Sequence, residues 1–162
     1  MVVALDAQLR SFAEMIQGSL GVNVSEIKGA GAAGATGAGV YAFLGGELKQ
    51  GIDTVLDLVG FDRLLEGCDC VFTGEGKLDQ QNLSGKVVIG VSLRAKRKDV
   101  PVIAVVGSTE GDQEQIFEKG VTGVYVTSKG RADFSEIKEH CREDLKETIE
   151  KILSERKFRR MF

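Results

Sequence analysis

The sequence is poor in several residue types. Among 162 residues, histidine and proline each occur once, cysteine three times and tryptophan not at all. No apolar run approaches the ~18 residues that cross a bilayer, so no transmembrane helix is expected. The opening MVVALDAQLRSF carries Asp6 early and lacks a basic segment, so it does not read as a signal peptide. Net charge is -3, without the basic excess that marks a nucleic-acid surface. Cys68-Asp69-Cys70 is not a zinc spacing, and no second Cys or His pair complements it. These two cysteines and Cys141 read as reduced thiols of a cytoplasmic protein. His140 lies in EIKEHCREDLKETIEKIL, a charged amphipathic stretch, and reads as a solvated helix residue rather than a general base.

Glycine, by contrast, occurs 21 times. It clusters at the ends of apolar runs, where backbone turns tightly or approaches a ligand. Residues 3–17 place Leu5, Leu9, Phe12, Ala13 and Ile16 at helical spacing. Residues 29–51 form a glycine–alanine track that becomes apolar at Val40 to Leu44. Residues 52–66 read as one helix or two short ones, with Gly60 as a break and Asp62 as a new N-cap. From residue 68 the pattern is β-α-β-α-β-α. Strands are expected at 68–73, 100–107 and 121–127, and helices at 85–98, 112–119 and 135–156. The last helix aligns Ile137, Cys141, Leu145, Ile149 and Ile152.

Apolar strands alternating with helices imply a parallel sheet covered on both faces. The expected fold is therefore a three-layer α/β/α arrangement with a Rossmann-like half-sheet, preceded by a helical Gly/Ala-rich segment. Three strands leave exposed edges, so the sheet reads as half of a larger one. Ligands of such sheets lie beyond the carboxyl ends of the strands. Segments 73–86, 107–112 and 127–133 follow the three strands and should share that rim.

The first of these, TGEGKLDQQNLSGK, is the best armed. Gly74 and Gly76 bracket Glu75, so backbone and carboxylate can both approach a ligand. Asp79 or Glu75 can hold Mg²⁺ or accept a hydroxyl proton. Lys77 and Lys86 can neutralise phosphate or carboxylate, and the helix after Ser84-Gly85 offers N–H groups. GSTEGD, residues 107–112, is a weaker version of the same pattern. GAGAAGATGAG, residues 29–39, is not a Walker A loop, because no Gly-Lys-Ser/Thr follows. It fits either close backbone packing or a loop near an anionic ligand.

Three stretches together resemble the type I glycerate kinase family: residues 29–60, the run DCVFTGEGKLDQQNLSGKVVIGVSLRAKR, and VPVIAVVGS. The family pattern Thr-Gly-Glu-Gly-basic-Leu-Asp-x-Gln, ending in Gly-Lys, falls on Thr73, Gly74, Glu75, Gly76, Lys77, Leu78, Asp79, Gln81 and Gly85-Lys86. The resemblance implies phosphorylation of D-glycerate by ATP and Mg²⁺, giving 2-phosphoglycerate, in a cleft between two α/β domains. The resemblance supplies the motif positions; side-chain chemistry makes Glu75, Asp79 and Lys86 the expected catalytic residues, with Asp79 the metal ligand. Gly34, Gly37, Thr73, Gly74, Gly76, Lys77, Gln81, Gly85 and Ser108 are the expected substrate or nucleotide contacts. Residues 1–58 would be the C-terminal part of the family's inserted domain, and 59–162 the C-terminal half of its Rossmann-like domain. Family members are more than twice as long, so an N-terminal half or a second copy is the expected partner. The other expectation is an assembly module inactive without that partner.

Overall fold

The computed structural model describes residues 2–79, 86–111, 113–131 and 133–155. They fall into two compact units, 1–51 and 52–162.

In the first unit, α1 (Val2–Leu20) buries Ile16 against Val24, Ala30 and Ala38, the last on α2 (Ala32–Leu44). The α2 segment opens unusually. Ala33, Gly34 and Ala35 all have left-handed backbones, with φ of 52°, 66° and 66°. Alanine in that region costs roughly 1–2 kcal/mol per residue. From Thr36 the helix is regular and ends on Gly45, also left-handed. Gly37 is small because a chain crosses it: a Cβ there would lie 3.0 Å from the Gly29 carbonyl oxygen and 3.3 Å from that of Ala30.

In the second unit, α3 (Gly51–Leu58) and α4 (Phe61–Leu64) are separated by Gly60 at φ 64°. The break is where glycine predicts it, but Gly60, not Asp62, occupies the N-cap. Asp62 instead meets Arg94 of the helix α5 (Val87–Lys96), accepting from Nη1 at 2.8 Å. Asp57 binds the same guanidinium, so one arginine ties α3 and α4 to α5.

Strands β1 (Val71–Leu78), β2 (Val102–Thr109) and β3 (Gly123–Val126) form a parallel sheet in that order. β2 is central and apolar from Val102 to Val106, the part where it is most buried, and turns polar at Ser108 and Thr109. Ala104 and Val106 pack with Val88 and Ile89 of α5, and with Ile116 of α6 (Glu114–Glu118). Each fully buried Val or Ile there is worth roughly 1.5–3 kcal/mol. Their neighbour Val105 faces the other way, into a groove shared with α7 (Phe134–Ser154). This is the expected α/β/α layering.

α7 starts where an acidic cap predicts it. Asp133 accepts from the backbone N–H of Ser135 at 2.8 Å and of Glu136 at 3.1 Å. Asp133→Ala should lower stability by about 1 kcal/mol, read as a urea midpoint shift at unchanged slope.

The buried stripe of α7 differs from the expected one. It is Asp144, Thr148 and Ile152. Cys141 is exposed, and Leu145 and Leu153 are 47% and 48% exposed. These two leucines and Ile149 border a groove of about 460 Å³ with Phe72, Thr73, Gly74 and Val105. His140 is exposed, as its surroundings predict. No helix among the described residues is long and apolar enough to cross a membrane.

Candidate functional site

The first part of the TGEGKLDQQNLSGK motif, residues 73–78, extends the strand instead of forming a loop. β1 runs through Thr73, Gly74, Glu75, Gly76 and Lys77 to Leu78, five residues past the expected end. Glycine permits this. A Cβ on Gly74 would drive into the carbonyl oxygen of Val105, and one on Gly107 into that of Gly76. At Gly74 and Gly107, then, the missing side chains let two backbones approach each other. Gly76 itself has open space where a Cβ would stand.

Parallel register then sets the rim. Glu75 is level with Val106, Lys77 with Ser108 and Leu78 with Thr109. The Glu110 N–H donates to the Leu78 carbonyl at 2.9 Å. Beyond β3, the Thr127 N–H donates to the Val106 carbonyl at 2.8 Å, and that of Ser128 to Gly107 at 3.3 Å. The segments after the three strands thus lie along one edge. Lys77 is level with Ser108 there, near the Asp79 charge, while Glu75 lies two residues further back on the same edge. Thr73 and Gly74 sit further back on β1, beside the α7 groove. Gly34 and Gly37 belong to the first unit. Gln81 and Gly85 lie outside the described residues.

Two partnerships on this edge were not foreseen. The Glu75 carboxylate accepts from the Val87 N–H at 3.1 Å, so a strand residue caps the first turn of α5. That position is the positive end of the helix dipole, where a carboxylate is favoured. Lys86 is the exposed residue immediately before that turn. Lys77 is paired with Glu110, joining the ends of β1 and β2. The hydrogen bond that Lys77 donates to Glu110, followed by the Glu110 charge and more weakly that of Asp79, raises the lysine above its ordinary pKa. Lys77 therefore stays protonated, with Glu110 as its partner. No sequence signal pairs Lys77 with Glu110, since only the register brings them together.

The cysteines carry no comparable arrangement. Burial, followed by the neighbouring Cys68 and Asp69, pushes the Cys70 thiol up, away from thiolate reactivity. Among the described residues no three His, Cys, Asp or Glu side chains converge to cage a metal. Asp79, half-buried just past β1, suits a different kind of ion. Mg²⁺ commonly uses one or two carboxylates and takes its other ligands from water and nucleotide phosphate. That donor set fits an ion arriving with a nucleotide.

Parallel strands with a polar carboxyl edge define an α/β protein of the kind whose ligands lie beyond the carboxyl ends of its strands. The Glycerate kinase family matches residues 1–157, and the chain belongs to that family. It is 39% identical over 152 residues to a glycerate kinase of Bacillus cereus, covering 94% of this chain and 40% of the relative. It is 42% identical over 135 residues to a glycerate 2-kinase of Escherichia coli, covering 82% and 35%. A crystal structure assigned to glycerate kinase 2 of Salmonella typhimurium LT2 superposes with a TM-score of 0.55 at 39% identity. It covers 75% of this chain and 31% of that one. The chain thus spans about 40% or less of the length of these relatives.

Proposed function

We infer that this chain supplies the C-terminal part of a glycerate kinase. The reaction joins the γ-phosphoryl group of ATP to the 2-hydroxyl oxygen of D-glycerate. The bond to the ADP oxygen breaks, and the hydroxyl proton passes to a carboxylate. The observation that carries this reading is the register that sets Lys77 level with Ser108, inside a segment with the family's pattern.

Asp79 is the residue for the proton and for Mg²⁺, which would supply charge neutralisation on the phosphates. Lys77, paired with Glu110, and Lys86, before α5, are assigned to the anionic oxygens. Ser108, Gly76, Gln81 and Gly85 are assigned to substrate or nucleotide contact, together with Gly34 and Gly37 of the first unit. Thr73 and Gly74 support the same edge from within β1. Glu75 contributes by holding the α5 terminus in place. Residues 1–58 and 59–162 are taken as the C-terminal parts of the family's two domains.

A second reading is favoured by the groove beside β1. Phe72 is 43% exposed there, next to Leu145 and Leu153. Among the described residues β1 has β2 as its sole strand neighbour. An apolar face beside a strand edge suits an assembly module completed by the remaining family sequence.

One experiment separates the two. ATP-dependent formation of 2-phosphoglycerate is measured with the purified chain alone and mixed with a polypeptide supplying the rest of a family member. Turnover in the mixture, and none with the chain alone, is the expected result. Absence of turnover in both would leave the assembly reading standing and remove the catalytic one.

A further inference from the structure

A charge cluster that the proposed chemistry does not use ties Lys129 and Arg131, after β3, to α7. Asp144 stands mid-helix on α7 with its side chain 3% exposed. One carboxylate oxygen meets Lys129 Nζ at 3.1 Å, and the other accepts from Arg131 Nη1. Each cation is held a second time, Lys129 by Glu147 and Arg131 through Nε by Glu136 at 3.4 Å. Burial pushes the Asp144 carboxyl up, but the two cations outweigh it and hold it below the usual carboxylate range.

Buried ion clusters are weak sources of net stability, and well-packed apolar residues often do as well. Geometry is what this cluster specifies. Lys129 has φ 53° and Gly130 φ 81°. A lysine keeps a left-handed backbone only where its surroundings over-determine it. Immediately upstream, the Thr127 and Ser128 amides lie along the end of β2, on the carbonyls of Val106 and Gly107. Ser128 is 5% exposed, next to the residue that precedes Ser108.

We propose that Asp144 is a positioning residue. Through Lys129 and Arg131 it fixes the β3–α7 segment as the third wall of the carboxyl edge, and so sets Ser128 against Gly107 beside Ser108. The functional side of this proposal rests on that edge being where phosphoryl transfer occurs.

The test is amide hydrogen exchange on the full chain carrying Asp144→Asn. The Thr127 and Ser128 amides should lose protection by about tenfold or more. The Val71 and Thr122 amides should keep theirs; they donate to Pro101 and Val102 carbonyls at 2.9 and 2.7 Å, at the opposite end of the sheet. An equal loss at both ends would make Asp144 a general stabiliser and overturn the proposal, as would unchanged exchange at Thr127 and Ser128. If Asp144→Asn does not fold, Lys129→Gln removes the more exposed arm and is read on the same amides. In an active two-polypeptide mixture, Asp144→Asn should raise a substrate KM at least fivefold. Unchanged kinetics with a loosened segment would refute the positioning role. An inactive wild-type mixture would defeat the kinase reading alone, since the exchange pattern is read without turnover.

Discussion

Asp79→Asn in an active mixture should lower turnover of D-glycerate by about 100-fold or more, within the ~10²–10⁴ range for a positioned acid–base group. The side chain keeps its shape and half-buried setting just past β1. What it loses is the charge proposed above to accept the hydroxyl proton and hold the cation. Two readouts separate these roles. If the loss is chiefly one of metal affinity, raising Mg²⁺ restores much of the rate; if it is proton transfer, kcat stays low at saturating Mg²⁺. Activity within threefold of wild type would exclude Asp79 from the chemistry. Glu75→Gln serves as the contrast. Its oxygen can still accept from Val87, so the cap survives and the expected loss is smaller.

Gly107→Val should cost about 3 kcal/mol or more, a large effect among single substitutions. The added Cβ meets the Gly76 carbonyl oxygen, which is backbone in a strand paired along seven registered positions. A flexible side chain could swing aside, whereas a ladder carbonyl cannot move without opening the pair. Urea unfolding gives the size of the loss, and the shift should appear in the midpoint rather than the slope. Gly76→Ala is the control, since nothing stands within 4 Å of its added Cβ. Its stability should remain within about 0.5 kcal/mol of wild type. Equal effects at the two positions would mean that close backbone approach is not what glycine serves here.

The same pair of glycines explains why the edge was only partly legible in the sequence. VPVIAVVG announces β2 by composition, since Val102, Ile103, Ala104 and Val106 are all buried. TGEGKL reads as a loop because glycine and charge are depleted in strands taken alone. Its partner decided the matter: β2 offers a ladder, and the glycines fit against it. Long-range side-chain partners escaped for the same reason. Nothing local announces that Glu75 reaches an amide twelve residues on, or that Lys77 meets Glu110. On α7 the apolar spacing gave the helix but not its buried side. Periodicity favours Cys141 and Leu145, whereas two cations thirteen and fifteen residues upstream draw Asp144 inward. The left-handed turn at Ala33 to Ala35 runs against alanine's own preference, so propensity could not reveal it. The alternation of strands and helices was legible because it depends on hydrophobic period alone.

The strip formed by Phe72, Leu145 and Leu153 has a consequence for how this polypeptide behaves in bulk. A greasy band flanking a strand's outer backbone is a template for clumping, and clumping grows steeply with concentration. The quantity synthesised, and whether something is at hand to cover that band, would then govern how much of the product stays dispersed.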